Sequence, residues 1–92
     1  MQLSYVYILT NQYRTTFYIG VTSNLKKRII QHKEKKGSIF TSKYNLDILV
    51  YYEEHLYITL AIQREKQLKN WKREWKKNLI RQQNPTFAEL EI

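Results

Sequence analysis

Two stretches near the start of the chain, Ser4–Thr10 and Phe17–Thr22, are short, alternating, and rich in β-branched and aromatic residues. Each predicts a strand. The polar run Asn11–Thr15 between them is short enough for a hairpin loop. Side chains alternate faces along a strand, so Val6 and Ile8 with Phe17, Ile19 and Val21 form one apolar face. Tyr5 and Tyr7 with Tyr18 and Gly20 point to the other. Pairing Tyr7 with Tyr18 across the hairpin sets Tyr5 opposite Gly20 and leaves a patch without a side chain beside the phenols.

The period then changes from strand to helix. Leu25 and Ile29 stand four apart, and Ser23 or Asn24 suits an N-cap. Arg28 and His32 are also four apart and project beside that apolar pair, close to the phenols. Lysines followed by Gly37 predict the helix stop. Ser38–Asn45 reads as a loop whose Thr41, Ser42, Lys43 and Tyr44 carry donors for phosphate oxygens. Leu46–Glu53 reads as a third strand, and the apolar run from Ile48 to Tyr52 predicts cover on both faces. Glu53 and Glu54 read as its solvated end and His55 as a turn residue. From Tyr57 onward the pattern is helical, without Gly or Pro until Pro85, and Thr59 is the expected cap. Ala61, Leu68, Trp75 and Leu79 fall on one stripe. An unbroken stripe would bury Lys72, so a break is expected near Asn70–Arg73, with Trp71 at the core or its edge. Asn84-Pro85 ends the last helix, and Phe87 and Leu90 fold the tail back onto the body.

The fold expected is a small α/β sandwich in the order β-β-α-β-α-α, its three-stranded sheet mainly antiparallel and flanked by helices. Residues 1–92 read as a single domain. Without cysteine there is no disulfide and no thiolate zinc site, which fits a cytoplasmic protein. No apolar run is long enough to span a membrane, and a chain that enters a strand at once predicts no signal peptide. Charge narrows the partners. Lys plus Arg is 16 against 8 for Asp plus Glu, a formal net charge of +8. Such a surface is either simply solvated or meant for a polyanion, because phosphate contacts dominate nucleic-acid affinity.

Candidate chemistry gathers at one edge. Tyr7, Tyr18, Arg28 and His32 each have an ordinary explanation as strand or surface residues, but as a set they exceed what a core needs. Glu65 lies near the centre of the stripe of Ala61 and Leu68, and a carboxylate seldom faces a core unless paired or metal-bound. It is therefore either half of a Glu65–Lys69 pair or a metal ligand. From Arg64 to Arg81 Lys and Arg outnumber Glu, and Lys69 and Lys72 belong to a solvated face or to one that tracks phosphates.

These residues resemble the signature of the GIY-YIG nuclease superfamily. Tyr5-Val6-Tyr7 stands where the family has G-I-Y, and Tyr18-Ile19-Gly20 is its Y-I-G letter for letter. Arg28 sits where the family's arginine is expected and His32 where it often has His or Tyr. The departure is Tyr5, where the family name has Gly. The resemblance runs on through nearly the whole chain. Thr41-Ser42-Lys43-Tyr44 is similar to a Thr-x-Lys-Tyr stretch of small members, Ala61–Lys66 to the helix that carries the family's Glu, and Asn84-Pro85-Thr86-Phe87 to an Asn-Pro-aromatic element.

The resemblance implies phosphodiester hydrolysis of DNA, branched or damaged DNA included, with one divalent cation, Mg²⁺ or Mn²⁺, held by Glu65. It further implies that Tyr18 is the general base or orients the attacking water. The phenol's usual pKa of about 10 must then be depressed by its surroundings. Arg28 would stabilise charge on the phosphoryl group, while Tyr7 and His32 position phosphate or relay a proton. Lys43, Tyr44, Lys69, Lys72 and Asn84 would contact nucleic acid, and a protein partner would supply specificity. Tyr7, Tyr18, Arg28, His32 and Glu65 should then line one cleft on one side of the sheet. Two other readings stay open: a non-catalytic nucleic-acid-binding module of the same fold, and a protein-interaction adaptor with tyrosine hot spots.

Overall fold

The structure is a computed structural model that describes residues 2–92. Strands β1 (Ser4–Thr10), β2 (Phe17–Thr22) and β3 (Ile48–His55) form an antiparallel sheet in the order β2-β1-β3. Between β2 and β3 lie helices α1 (Leu25–Lys33) and α2 (Ile39–Tyr44). Helices α3 (Ile58–Lys69) and α4 (Arg73–Gln83) follow β3. The central strand feeds two cores. Val6 and Ile8 pack with Ile19, Val50, Ala61, Leu68 and Ile80 on the α3–α4 side. Tyr7 and Leu9 pack with Leu25, Ile29, Leu46 and Leu49 on the α1 side. The expected α/β sandwich and its face assignments are both present. Among the described residues no helix is long and apolar enough to cross a membrane.

The hairpin register differs from the expected one by two residues. Tyr7 pairs with Gly20, Leu9 with Tyr18 and Tyr5 with Thr22. A shift of two keeps every side chain on its face, so the face assignments survive. Its physical reason is the volume of Tyr7: a Cβ on Gly20 would lie 2.4 Å from the Tyr7 Cζ and Oη. Only glycine lets the phenol ring lie across β2. The loop then runs one residue longer, with Asn11 Oδ1 accepting from the Thr15 amide at 2.8 Å and Thr10 Oγ1 donating to the Thr16 carbonyl at 2.8 Å.

Asn24 caps α1 by accepting from the Lys27 amide at 3.1 Å. The helix stop is a left-handed Lys35 (φ 56–61 being the range of such residues here, 61 at Lys35), not Gly37. The Lys36 amide closes the turn on the Gln31 carbonyl at 2.8 Å. The segment expected as a loop after it is α2, which Ser38 caps through the Thr41 amide at 3.1 Å. Left-handed Asn45 ends α2, and the Leu46 amide still bonds back to Thr41, so β3 starts at Ile48 instead of Leu46. Tyr57, not Thr59, is the residue before α3, and it gives no side-chain cap.

The break before Arg73 falls where expected, and Trp71 packs at the core's edge. Restarting the helix also resets its phase, so Trp75 is 52% exposed and Ile80 fills the core. Glu53 is not solvated: Arg64 donates to it at 2.8 Å and His55 lies at 2.9 Å, inside β3 and not in a turn. Beyond α4 the tail crosses the free edge of β3. The Leu90 amide bonds the Leu49 carbonyl at 2.8 Å, Phe87 rests on Phe17, and Lys33 meets Glu89 at 2.6 Å.

Candidate functional site

The ring of Tyr7 passes over Gly20, so its hydroxyl stands above the edge strand and beneath α1. One helical turn separates Arg28 from His32, and both reach that hydroxyl. Arg28 Nε donates to Tyr7 Oη at 3.3 Å, and His32 Nε2 lies 2.9 Å from it. Arg28 is held twice more, donating to the Gly37 carbonyl at 2.9 Å and to Gln31 at 3.2 Å. The other ring nitrogen of His32 meets Thr41 Oγ1 at 3.0 Å. Gly37 backs the imidazole so closely that a Cβ there would fall 2.1 Å from Nδ1. The chain has two glycines, and each makes room for a buried member of this cluster.

The partners set the proton directions at Tyr7 and His32. Arginine only donates, so Tyr7 accepts from Arg28, and its own proton has one place to go, His32 Nε2. His32 is then protonated at Nδ1 and donates to Thr41, which in turn faces the Ser38 carbonyl at 3.3 Å and Oγ at 2.8 Å. Burial agrees with this assignment. Burial drives the Tyr7 pKa up to about 12 against the pull of Arg28, and it lowers His32 to about 4 with help from the Arg28 charge. Both are neutral at ordinary pH. The bond to Tyr7 raises Arg28 further, so the guanidinium stays charged.

Tyr18 is the half-buried phenol of the set. Its ring lies 6.4 Å from Tyr7 and 5.7 Å from His32. The structure thus brings Tyr7, Tyr18, Arg28 and His32 together. Glu65 departs from the expected single face, because α3 packs on the opposite side of the sheet. Among the causes that raise the Tyr7 phenol, burial is the largest and the Glu65 charge the smallest. The Glu65–Lys69 pair also exists, at 3.5 Å. Lys69 is the exposed partner, and exposed pairs contribute only about 0–1 kcal/mol, so the carboxylate can exchange it for another cation. Among the described residues no three His, Cys, Asp or Glu side chains cluster. The donor set fits a hard cation that takes one carboxylate and fills its shell with water and phosphate, and does not fit a multi-ligand cage.

The remaining expected contacts separate. Lys43 and Tyr44 are exposed on α2, next to Phe40 and hence to Tyr18. Lys69 and Lys72 are exposed on the α3–α4 side, with Lys72 over Trp75. Asn84 does not join the site. It is buried, donating to the Val50 and Ala88 carbonyls and accepting from the Ala88 amide.

Sequence reasoning missed the parts of Gly37 and Phe40 and took Thr41 for a phosphate donor. Ser38 three residues before Thr41 was the available sign of a capped helix.

A family model described as the GIY-YIG catalytic domain matches residues 3–78. A UPF0213 protein of Staphylococcus haemolyticus is 32% identical over 80 residues, spanning 87% of this chain and 96% of that protein. The solution NMR structure of a UPF0213 protein from Bacillus halodurans is similar at a TM-score of 0.54 and 28% identity, covering 85% of this chain and 82% of that one.

Proposed function

Since the chain belongs to the GIY-YIG family, a nuclease family, we propose that it is a metal-dependent endonuclease that hydrolyses phosphodiester bonds in DNA. The observation that carries the reading is the fixed guanidinium. Arg28 is held by Tyr7, Gln31 and the Gly37 carbonyl, stays charged, and stands beside the half-exposed Tyr18. A preorganised cation of this kind stabilises the charge that develops on a phosphoryl group.

Tyr18, the half-buried phenol, takes the proton of the attacking water, or orients it. Tyr7 and His32 are buried and neutral, so they position Arg28 and do not carry protons to solvent. Glu65 would hold the divalent cation, Mg²⁺ or Mn²⁺, and the cation would supply positive charge for the phosphate and the leaving oxygen. In the balance of the reaction, water adds to phosphorus, the bond to the leaving oxygen breaks, and that oxygen gains a proton.

A binding module of the same fold is the second reading, favoured by the Glu65–Lys69 ion pair. Plasmid nicking with Mg²⁺ or Mn²⁺ separates the two. Glu65→Gln is expected to abolish nicking while DNA affinity is kept, since a neutral amide is a poor ligand for a hard cation. Nicking that survives the substitution removes Glu65 from the metal site.

A further inference from the structure

Helix α2 stands beside the candidate site and carries more apolar surface than its packing uses. Thr41 is its one buried residue. Yet Ile39, Phe40 and Tyr44 are exposed by 89%, 45% and 46%. Phe40 lies nearly parallel to Tyr18, with ring centroids 6.3 Å apart and planes inclined by 26°. Tyr44 follows Phe40 at 4.8 Å, its ring tilted by 49°. Aromatic rings therefore run in a row from Tyr18 out across α2. Cations accompany the row: the Lys43 ammonium is 5.5 Å over the Tyr44 ring, and Lys35 and Lys36 share an open hollow with the start of α2. The row is also registered to the site, because the Thr41 hydroxyl that bonds His32 belongs to the same helix.

Half-exposed rings among lysines match one ligand chemistry well. In duplex DNA the bases stack on each other and show only their edges. Unpaired bases offer a free face, and proteins bind it with aromatic rings beside a basic track for the backbone. We propose that Phe40 and Tyr44 form a stacking platform for an unpaired base next to the phosphate held at Arg28, so that the preferred substrate carries a single-stranded DNA segment at the cut. The inference rests on the nuclease reading above and narrows its substrate.

Fluorescence anisotropy without divalent metal tests it, using an end-labelled single-stranded oligonucleotide and the duplex of the same sequence at one ionic strength. Wild type is expected to bind the single strand more tightly. Phe40→Ala is expected to weaken single-strand binding roughly 5- to 100-fold and to change duplex binding less than about twofold. Phe40→Trp keeps the ring face and is expected to retain the affinity. Phe40→Leu keeps apolar volume without a ring face and is expected to show the alanine loss even if Phe40→Ala unfolds. An unchanged single-strand affinity in Phe40→Leu, or a loss equal on both ligands, overturns the platform and leaves the nuclease reading standing. Wild type that binds neither ligand overturns both.

Discussion

His32 shows how tightly single residues are specified here. It is 2% exposed, bonded at both nitrogens, and backed by Gly37. Gly37→Ala places a methyl where the imidazole is, and overpacking of this kind costs about 1–3 kcal/mol. Urea denaturation should show that loss, and nicking should fall with it as Arg28 loses its seat on the Gly37 carbonyl. Burial also makes His32 a source of pH dependence. Its folded pKa is about 4 against an ordinary 6.5, so between those values the unfolded chain binds the proton more readily and stability falls as pH drops. The loss amounts to about 3 kcal/mol across that window. Denaturation midpoints from pH 7 to 4 should fall more steeply for wild type than for His32→Asn, and equal slopes would contradict the buried neutral imidazole. The sequence made Tyr7, Tyr18, Arg28 and His32 legible because strand alternation and the i, i+4 rule act over a few residues. It did not make Gly37 legible, since a glycine needed for close approach looks the same as one that stops a helix.

At the level of elements, the long regular ones were readable and the short or restarted ones were not. Strands β1 and β2 carry their period plainly. Helix α2, with six residues, is too short to show one. In α3 and α4 a single stripe predicted a buried Trp75, and the break at Asn70–Lys72 shifted the phase so that Ile80 took its place. Asn84 was read through the family pattern as a contact to nucleic acid, yet its amide clamps the tail to β3. Asn84→Ala should therefore destabilise the fold by about 1–3 kcal/mol, the cost of leaving buried partners unpaired. Hydrogen exchange at the Leu90 amide, which bonds Leu49, should quicken while DNA affinity stays unchanged. Lost DNA affinity in a variant that keeps its stability would return Asn84 to the interface.

For the whole molecule, charge and site geometry make separate claims. The net charge of +8 predicts DNA binding that weakens steeply as salt rises, whatever the sequence bound. Arg28, Tyr18 and Glu65 predict turnover. Helix α3, which carries Glu65, packs on the sheet face opposite Tyr7 and Tyr18, and sequence periodicity cannot foresee this because it reports a helix face and not the side of the sheet the helix covers. Nicking and DNA affinity measured in the same samples of wild type and Tyr18→Phe, with Mg²⁺ and with Mn²⁺, decide whether the site cuts DNA or only binds it. Wild type is expected to nick with divalent metal, and Tyr18→Phe to bind equally well without cutting. Wild type that binds but never nicks, on linear or branched DNA with either metal, would contradict the nuclease reading.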